Sequence, residues 1–154
     1  MSSTMYSRSV VMLEQAKHAL TRVSEDDAYL DAACFETQQA VEFLMKAILL
    51  DYGVPYEKTH DIRFLASKVA STGFQFEKAD TLELLSDTIT DWEEGSRYGK
   101  GVHTTVNTVQ RVQNIYKSMN EAYLQMQQDN NPPQESDSDL SSAQNTEGER
   151  KSQS

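Results

Sequence analysis

Apolar residues recur at steps of three and four along most of the chain. No stretch sustains the period-two alternation that a half-buried strand requires. In the first segment Leu13, Ala16, Leu20 and Val23 define one apolar face, and the acidic run at 24–27 interrupts it and supplies caps for the next helix. Residues 28–52 form the most apolar segment. Asp31, Gln38, Glu42 and Lys46 gather in a narrow polar arc, while Cys34, Val41, Met45, Ile48 and Tyr52 cover another part of the circumference. A helix apolar over most of its surface is a central helix. Glu42 and Lys46 stand in the favourable i,i+4 order, which is worth roughly 0.2–0.5 kcal/mol on a helix surface. Gly53 ends this helix and Pro55 prevents its continuation.

Three further helices come after it. Thr59 is the expected N-cap of a short one carrying Ile62, Leu65, Ala66 and Val69, closed by Gly73. Asp80 with Glu83 reads as a capping box opening a fourth, with Leu82, Leu85, Ile89 and Trp92 on its stripe. The last carries Val106, Val109, Val112, Tyr116, Met119, Tyr123 and Met126 at steps of three or four. Short connections between such helices favour antiparallel neighbours. The expected fold is all-α, an up-and-down antiparallel bundle of four to five helices.

Composition changes sharply near residue 129, where the stretch "DNNPPQESDSDLSSAQNTEGERKSQS" retains only Leu140 and Ala143 as aliphatic side chains. Such a segment buries too little apolar surface to offset the loss of chain entropy. The 154 residues therefore divide into a helical domain over 1–128 and a disordered acidic polar tail over 129–154. The net charge of −10 argues against broad DNA or RNA coating, which needs a basic footprint, so a nucleic-acid contact has to come from a local pocket. Cys34 is the one cysteine, which excludes an internal disulfide and a cysteine-based zinc cluster, and its small apolar neighbours mark it as a buried residue. No histidine pair stands one helical turn apart, so no metal site and no cofactor are expected. The N-terminal stretch lacks the apolar core of a signal peptide, and no run approaches a membrane span. A soluble cytoplasmic protein is the expectation.

The stretch "YLDAACFETQQAVEFLMKAILLDYGVPYEKTHDIRFLASKV" resembles the central motif of the HEPN domain family (higher eukaryote and prokaryote nucleotide-binding). The positions that carry the likeness are Ala32, Ala33, Gln38, Gln39, Ala40, Glu42, Lys46, Ala47, Gly53, His60, Asp61 and Leu65. Farther on, "SRYGKG" is similar to the "RYP" element that precedes the family's final helix. Read without the family, Gln38 and Gln39 satisfy buried polar partners between helices, His60 packs at the start of the third helix, and His18 is a solvated helix residue.

The resemblance gives the segment "EEGSRYGKGVHTT" its meaning. Many family members are metal-independent endoribonucleases whose motif is an arginine, four to six residues, then a histidine. Arg97 and His103 have five residues between them, and both lie where the family places the pair. Histidine titrates near neutral pH and can take the 2′-hydroxyl proton, while arginine stays charged and its planar fork matches phosphate oxygens. Gly99 and Gly101 let a phosphate approach the backbone closely. Tyr98 follows the arginine where catalytic members carry a polar residue, and this "RY" form is similar to members that bind nucleotides or accompany a nucleotidyltransferase. Tyr98 suits base stacking and Lys100 adds charge, while Asp91, Glu93 and Glu94 repel phosphate unless paired. Three readings stay open. The first is nucleotide or RNA binding through Arg97, Tyr98, Lys100 and His103, with Gln39 as a further contact. The second is a metal-independent endoribonuclease toxin, with Arg97 and His103 catalytic, restrained by a nucleotidyltransferase-type antitoxin. The third is a ligandless structural helical partner. The resemblance also implies a homodimer.

Overall fold

The computed structural model describes residues 3–56, 58–97 and 104–130, the side chains of residue 3 and residues 93–97 excepted. Among these residues the fold is all-α. The five helices, in chain order, are α1 (Ser3–Leu20), α2 (Ala28–Asp51), α3 (Ile62–Ser71), α4 (Ala79–Arg97) and α5 (Val106–Asn130). The chain divides into two compact units, residues 1–122 and 123–154. The first is the helical bundle. Of the second the structure describes the end of α5, where the Gln125 side-chain amide donates to Asp129 Oδ1 at 3.0 Å.

Helix α2 is the core of the bundle. From Ala40 to Leu49 every residue but Phe43 is buried, the charged Glu42 and Lys46 included. Its closest neighbour is α1, and small residues allow that approach: Ser9, Ala16 and Ala19 from α1, Ala33, Ala40 and Ala47 from α2 are all buried. The two helices are antiparallel, since the Arg8 guanidinium lies 5.9 Å from the Phe43 ring centre and the Arg22 guanidinium 4.7 Å from that of Tyr29. Leu13, Leu20 and Val23, expected on the buried stripe of the first segment, are only half-buried. The tight pairing admits small side chains at its centre and displaces larger ones to its margin.

Helices α3 and α4 form a second antiparallel pair. The Ile62 N–H donates to Thr90 Oγ1 at 3.0 Å and Arg63 Nε to Asp87 Oδ1 at 3.1 Å, which fixes their register. The caps differ from those expected. Asp61, not Thr59, caps α3, accepting from Phe64 N–H at 3.1 Å, while Thr59 Oγ1 accepts from Asp61 N–H. Asp80 lies inside the first turn of α4 rather than ahead of it. Its carboxylate there still complements the helix dipole.

Helix α5 crosses the other elements through side-chain bonds. Ser9 Oγ and Tyr116 Oη lie 2.9 Å apart, Gln113 Nε2 donates to Thr37 Oγ1 at 3.2 Å, and Lys78 N–H donates to Ser118 Oγ at 3.2 Å. No helix of the described residues is long and apolar enough to cross a membrane.

Helix α2 ends as its sequence demands. Val54 N–H donates to the Leu49 carbonyl at 2.9 Å and Gly53 N–H to that of Leu50 at 3.0 Å, a Schellman closure. Gly53 holds φ at +68°, and nothing lies within 4 Å of where a Cβ would stand. Backbone conformation alone therefore selects glycine here. Gly53→Ala is expected to lower unfolding free energy in urea by about 1 kcal/mol, with Gly53→Asn losing less because asparagine tolerates the left-handed region.

Cys34 is fully buried, and burial first, with Asp31 adding, pushes its thiol from 9.0 up to about 12. Burial likewise pushes the Tyr116 phenol up to about 12, partly opposed by its bond to Ser9. The unfolded chain releases both protons at lower pH than the folded one. Their contribution to stability is thus complete below pH 9 and is lost as pH rises towards 12. Denaturant midpoints should fall across that window, and Cys34→Ala should flatten the first part of the decline. A thiol reagent at pH 8 should label Cys34 only on unfolding.

Candidate functional site

On α2, Gln38, Glu42 and Lys46 succeed one another at steps of four, so their side chains stack along one side of the helix. The sequence expectation treats Glu42 and Lys46 as a surface pair worth a few tenths of a kcal/mol. The structure instead encloses them: the Glu42 side chain is 1% exposed and that of Lys46 8%. Glu42 is the hub. Its Oε2 accepts from Lys46 Nζ at 2.7 Å, and its Oε1 accepts from Gln38 Nε2 at 2.9 Å. His60 Nδ1 approaches both carboxylate oxygens, at 2.9 and 3.1 Å. Gln39 Nε2 extends the network outwards by donating to Gln38 Oε1 at 2.8 Å. Lys46 Nζ also lies 5.6 Å from the centre of the Tyr56 ring. Low local dielectric makes each of these bonds strong and any missing partner costly.

The chain reaches this arrangement through its turns. The Gly53 closure and Pro55 reverse the backbone after α2, and α3 opens at Ile62, so His60 returns to Glu42 across eighteen positions of sequence. A carboxylate only accepts, so His60 Nδ1 carries the proton in that bond, and the network rather than the ring itself sets the tautomer. Asp61 is committed to capping α3. Among the described residues no cluster of histidine, cysteine and carboxylate side chains is arranged to hold a metal ion.

The expected site residues fall into two groups. Gln39 is half-buried at the edge of the α2 network, where it also borders a groove against α1 lined by Arg8 and Phe43. Arg97 is the last residue of α4, and its side chain lies outside the described residues, as do Tyr98, Lys100 and His103. What the structure does describe is the frame on either side. Ile89 and Trp92 are buried and anchor the second half of α4. Helix α5 opens at Val106 behind Thr105, whose Oγ1 accepts from Thr108 N–H at 3.2 Å. The start of α3 packs against Thr90 on α4, so the His60 turn and the C-terminal end of α4 occupy the same end of the bundle. Steps of four identified the Gln38–Glu42–Lys46 line, but nothing local signalled that His60 would complete it.

A family model for the HEPN domain matches residues 6–129. No curated protein and no solved structure gave a match. The matched span takes in the whole Glu42 network and runs through the Arg97–His103 segment to the last turn of α5, and on that basis this chain belongs to the HEPN domain family.

Proposed function

We propose that this chain binds a nucleotide or RNA through the segment joining α4 to α5, with Arg97 contacting phosphate and Tyr98 stacking on a base. Lys100 adds charge, His103 lies beside them in sequence, and Gln39 on α2 is the further ligand contact in this reading. Family membership over a span that includes this segment carries the reading. The partial positive charge at the N-terminal end of α5, capped by Thr105, favours an anion nearby. The second reading, RNA cleavage, is favoured by one specific observation: the arginine, five residues, histidine spacing. In that step the 2′-oxygen attacks phosphorus, His103 takes the 2′-proton, and the 5′-oxygen departs and is protonated. Arg97 holds the charge that develops on the phosphoryl oxygens, and a 2′,3′-cyclic phosphate results. A homodimer would gather two such pairs in one cleft, and a nucleotidyltransferase-type protein is the proposed antitoxin partner. The working unit is the helical domain over 1–128 with its acidic tail over 129–154, acting in the cytoplasm.

The test is anisotropy of a 5′-labelled single-stranded RNA with EDTA present, then gel analysis of the same samples. Arg97→Ala should weaken binding about tenfold or more, as expected for a charge-assisted phosphate contact. Tyr98→Ala should weaken it by about fivefold or more through lost stacking. His103→Ala should leave binding within about twofold and abolish any cleavage. Absence of RNA or nucleotide binding at micromolar protein would leave only the ligandless structural partner.

A further inference from the structure

The outer side of the α3–α4 pair carries a cleft of about 440 Å³, within the size range of small-molecule sites. It exists because the facing positions are small. Ala66, Ser67 and Ala70 on α3 and Ala79 on α4 leave the space between the helices open. Its floor is apolar: Val69 and Leu82 are buried, and the buried Ser86 hydroxyl is spent on the Leu82 carbonyl at 2.8 Å. Phe74 and Phe76 wall one end, their ring centres 6.0 Å apart and their planes tilted by 42°. The Arg63–Asp87 pair bridges the helices at the other end. Along α3 the open stretch from residue 63 to 70 measures about 10 Å. A closed length of this kind suits a compact ligand better than an extended polypeptide.

The rim sets the charge of that ligand. Asp80 and Glu83 border the cleft from α4, one turn apart. Arg63 is held above its usual range first by its bond to Asp87, then by the charges of Asp87, Glu83 and Asp61. Three carboxylates, Asp87, Glu83 and Asp61, therefore act on one guanidinium that is already paired, and Asp80 adds a further acid to the border of the cleft. Of the neighbouring lysines, Lys68 lies over the Phe64 ring at 5.6 Å, and Lys78 is preceded by Glu77. Aromatic faces beside carboxylates favour a cation, whereas this rim repels a nucleotide phosphate.

We propose that the α3–α4 cleft binds a small organic cation, an ammonium or guanidinium group on an apolar body, at a site separate from the α4–α5 segment. The ammonium end meets Asp80 and Glu83, and the apolar body lies on Leu82 and Val69 against Phe74 and Phe76. Arg63 stays with Asp87 and marks the far limit of the site.

Amide chemical shifts of the full chain should be tracked during titration with 2-phenylethylamine and, separately, with 3-phenylpropionate, which has a similar aromatic body and the opposite charge. The amine should shift the amides of Ser67, Ala70 and Glu83 saturably, and the carboxylate should not. An Asp80→Asn/Glu83→Gln variant should bind the amine about five- to tenfold more weakly, two rim charges being lost. Ala70→Phe, at an exposed position, should block the cleft with the rim charges intact; thermal unfolding of each variant confirms the fold. Equal binding of the two probes, no saturable shift, or unaltered affinity in both variants would overturn the proposal. So would binding of a capped Phe-Arg peptide where the free amine fails, which would make the cleft a polypeptide site instead. None of these readings depends on RNA binding.

Discussion

Glu42→Ala should destabilise the protein by about 3–5 kcal/mol, because it strands a buried charge rather than removing a surface pair. Lys46, 8% exposed at its side chain, would lose the carboxylate 2.7 Å away, and Gln38 and His60 would each lose an acceptor. Replacing both ions with apolar residues of similar length, Glu42→Leu with Lys46→Met, removes the stranded charge. That double variant should recover most of the loss or exceed the original stability. His60→Ala should cost far less than Glu42→Ala, since its side chain is 43% exposed and water can replace it. Urea unfolding of the four proteins decides the matter. If Glu42→Ala and the double variant lose equally, the network owes its stability to shape rather than to charge pairing.

The second large effect comes from α5. Ile115→Ala should cost about 2–5 kcal/mol, the range for a truncated aliphatic side chain in a close-packed core. Val106→Ala should stay within about 0.5 kcal/mol. The contrast is instructive because the apolar spacing of the sequence places Val106 on the buried stripe and leaves Ile115 off it. In the structure Ile115 is fully buried and Val106 is 38% exposed. Val106 is the first residue of α5, where the helix has only just begun, and its side chain is only partly covered. Ile115 adjoins Tyr116 on a helix covered by several elements, which widens the buried face beyond one narrow line. Thermal unfolding of the two variants would show which description of the helix is right.

The five helices were legible because each carries a period near 3.6, and because Gly53 and Gly73 mark ends that only glycine closes well. Cap assignments were less legible. Thr59 and Asp61 both accept backbone N–H bonds near the start of α3, and which of them acts as the cap depends on the register against Thr90 of α4. For the candidate site, the sequence supplied the order of Arg97, Tyr98, Lys100 and His103, which needs no tertiary information. The burial of Glu42 was not legible, because an i,i+4 pair looks the same on a solvated face and in a core.

By itself, then, the sequence determined the helical class, the central place of α2, the burial of Cys34 and the family, since these depend on periodicity, apolar content and residues near one another along the chain. Tertiary structure alone decided that Gln38, Glu42, Lys46 and His60 form one enclosed network, that small residues seat α1 on α2, and that a cleft with an acidic rim opens between α3 and α4. The physical reason is common to all three. Helix periodicity sets which residues share a face, but how deeply a polar group on that face is buried depends on which distant segment comes to lie over it.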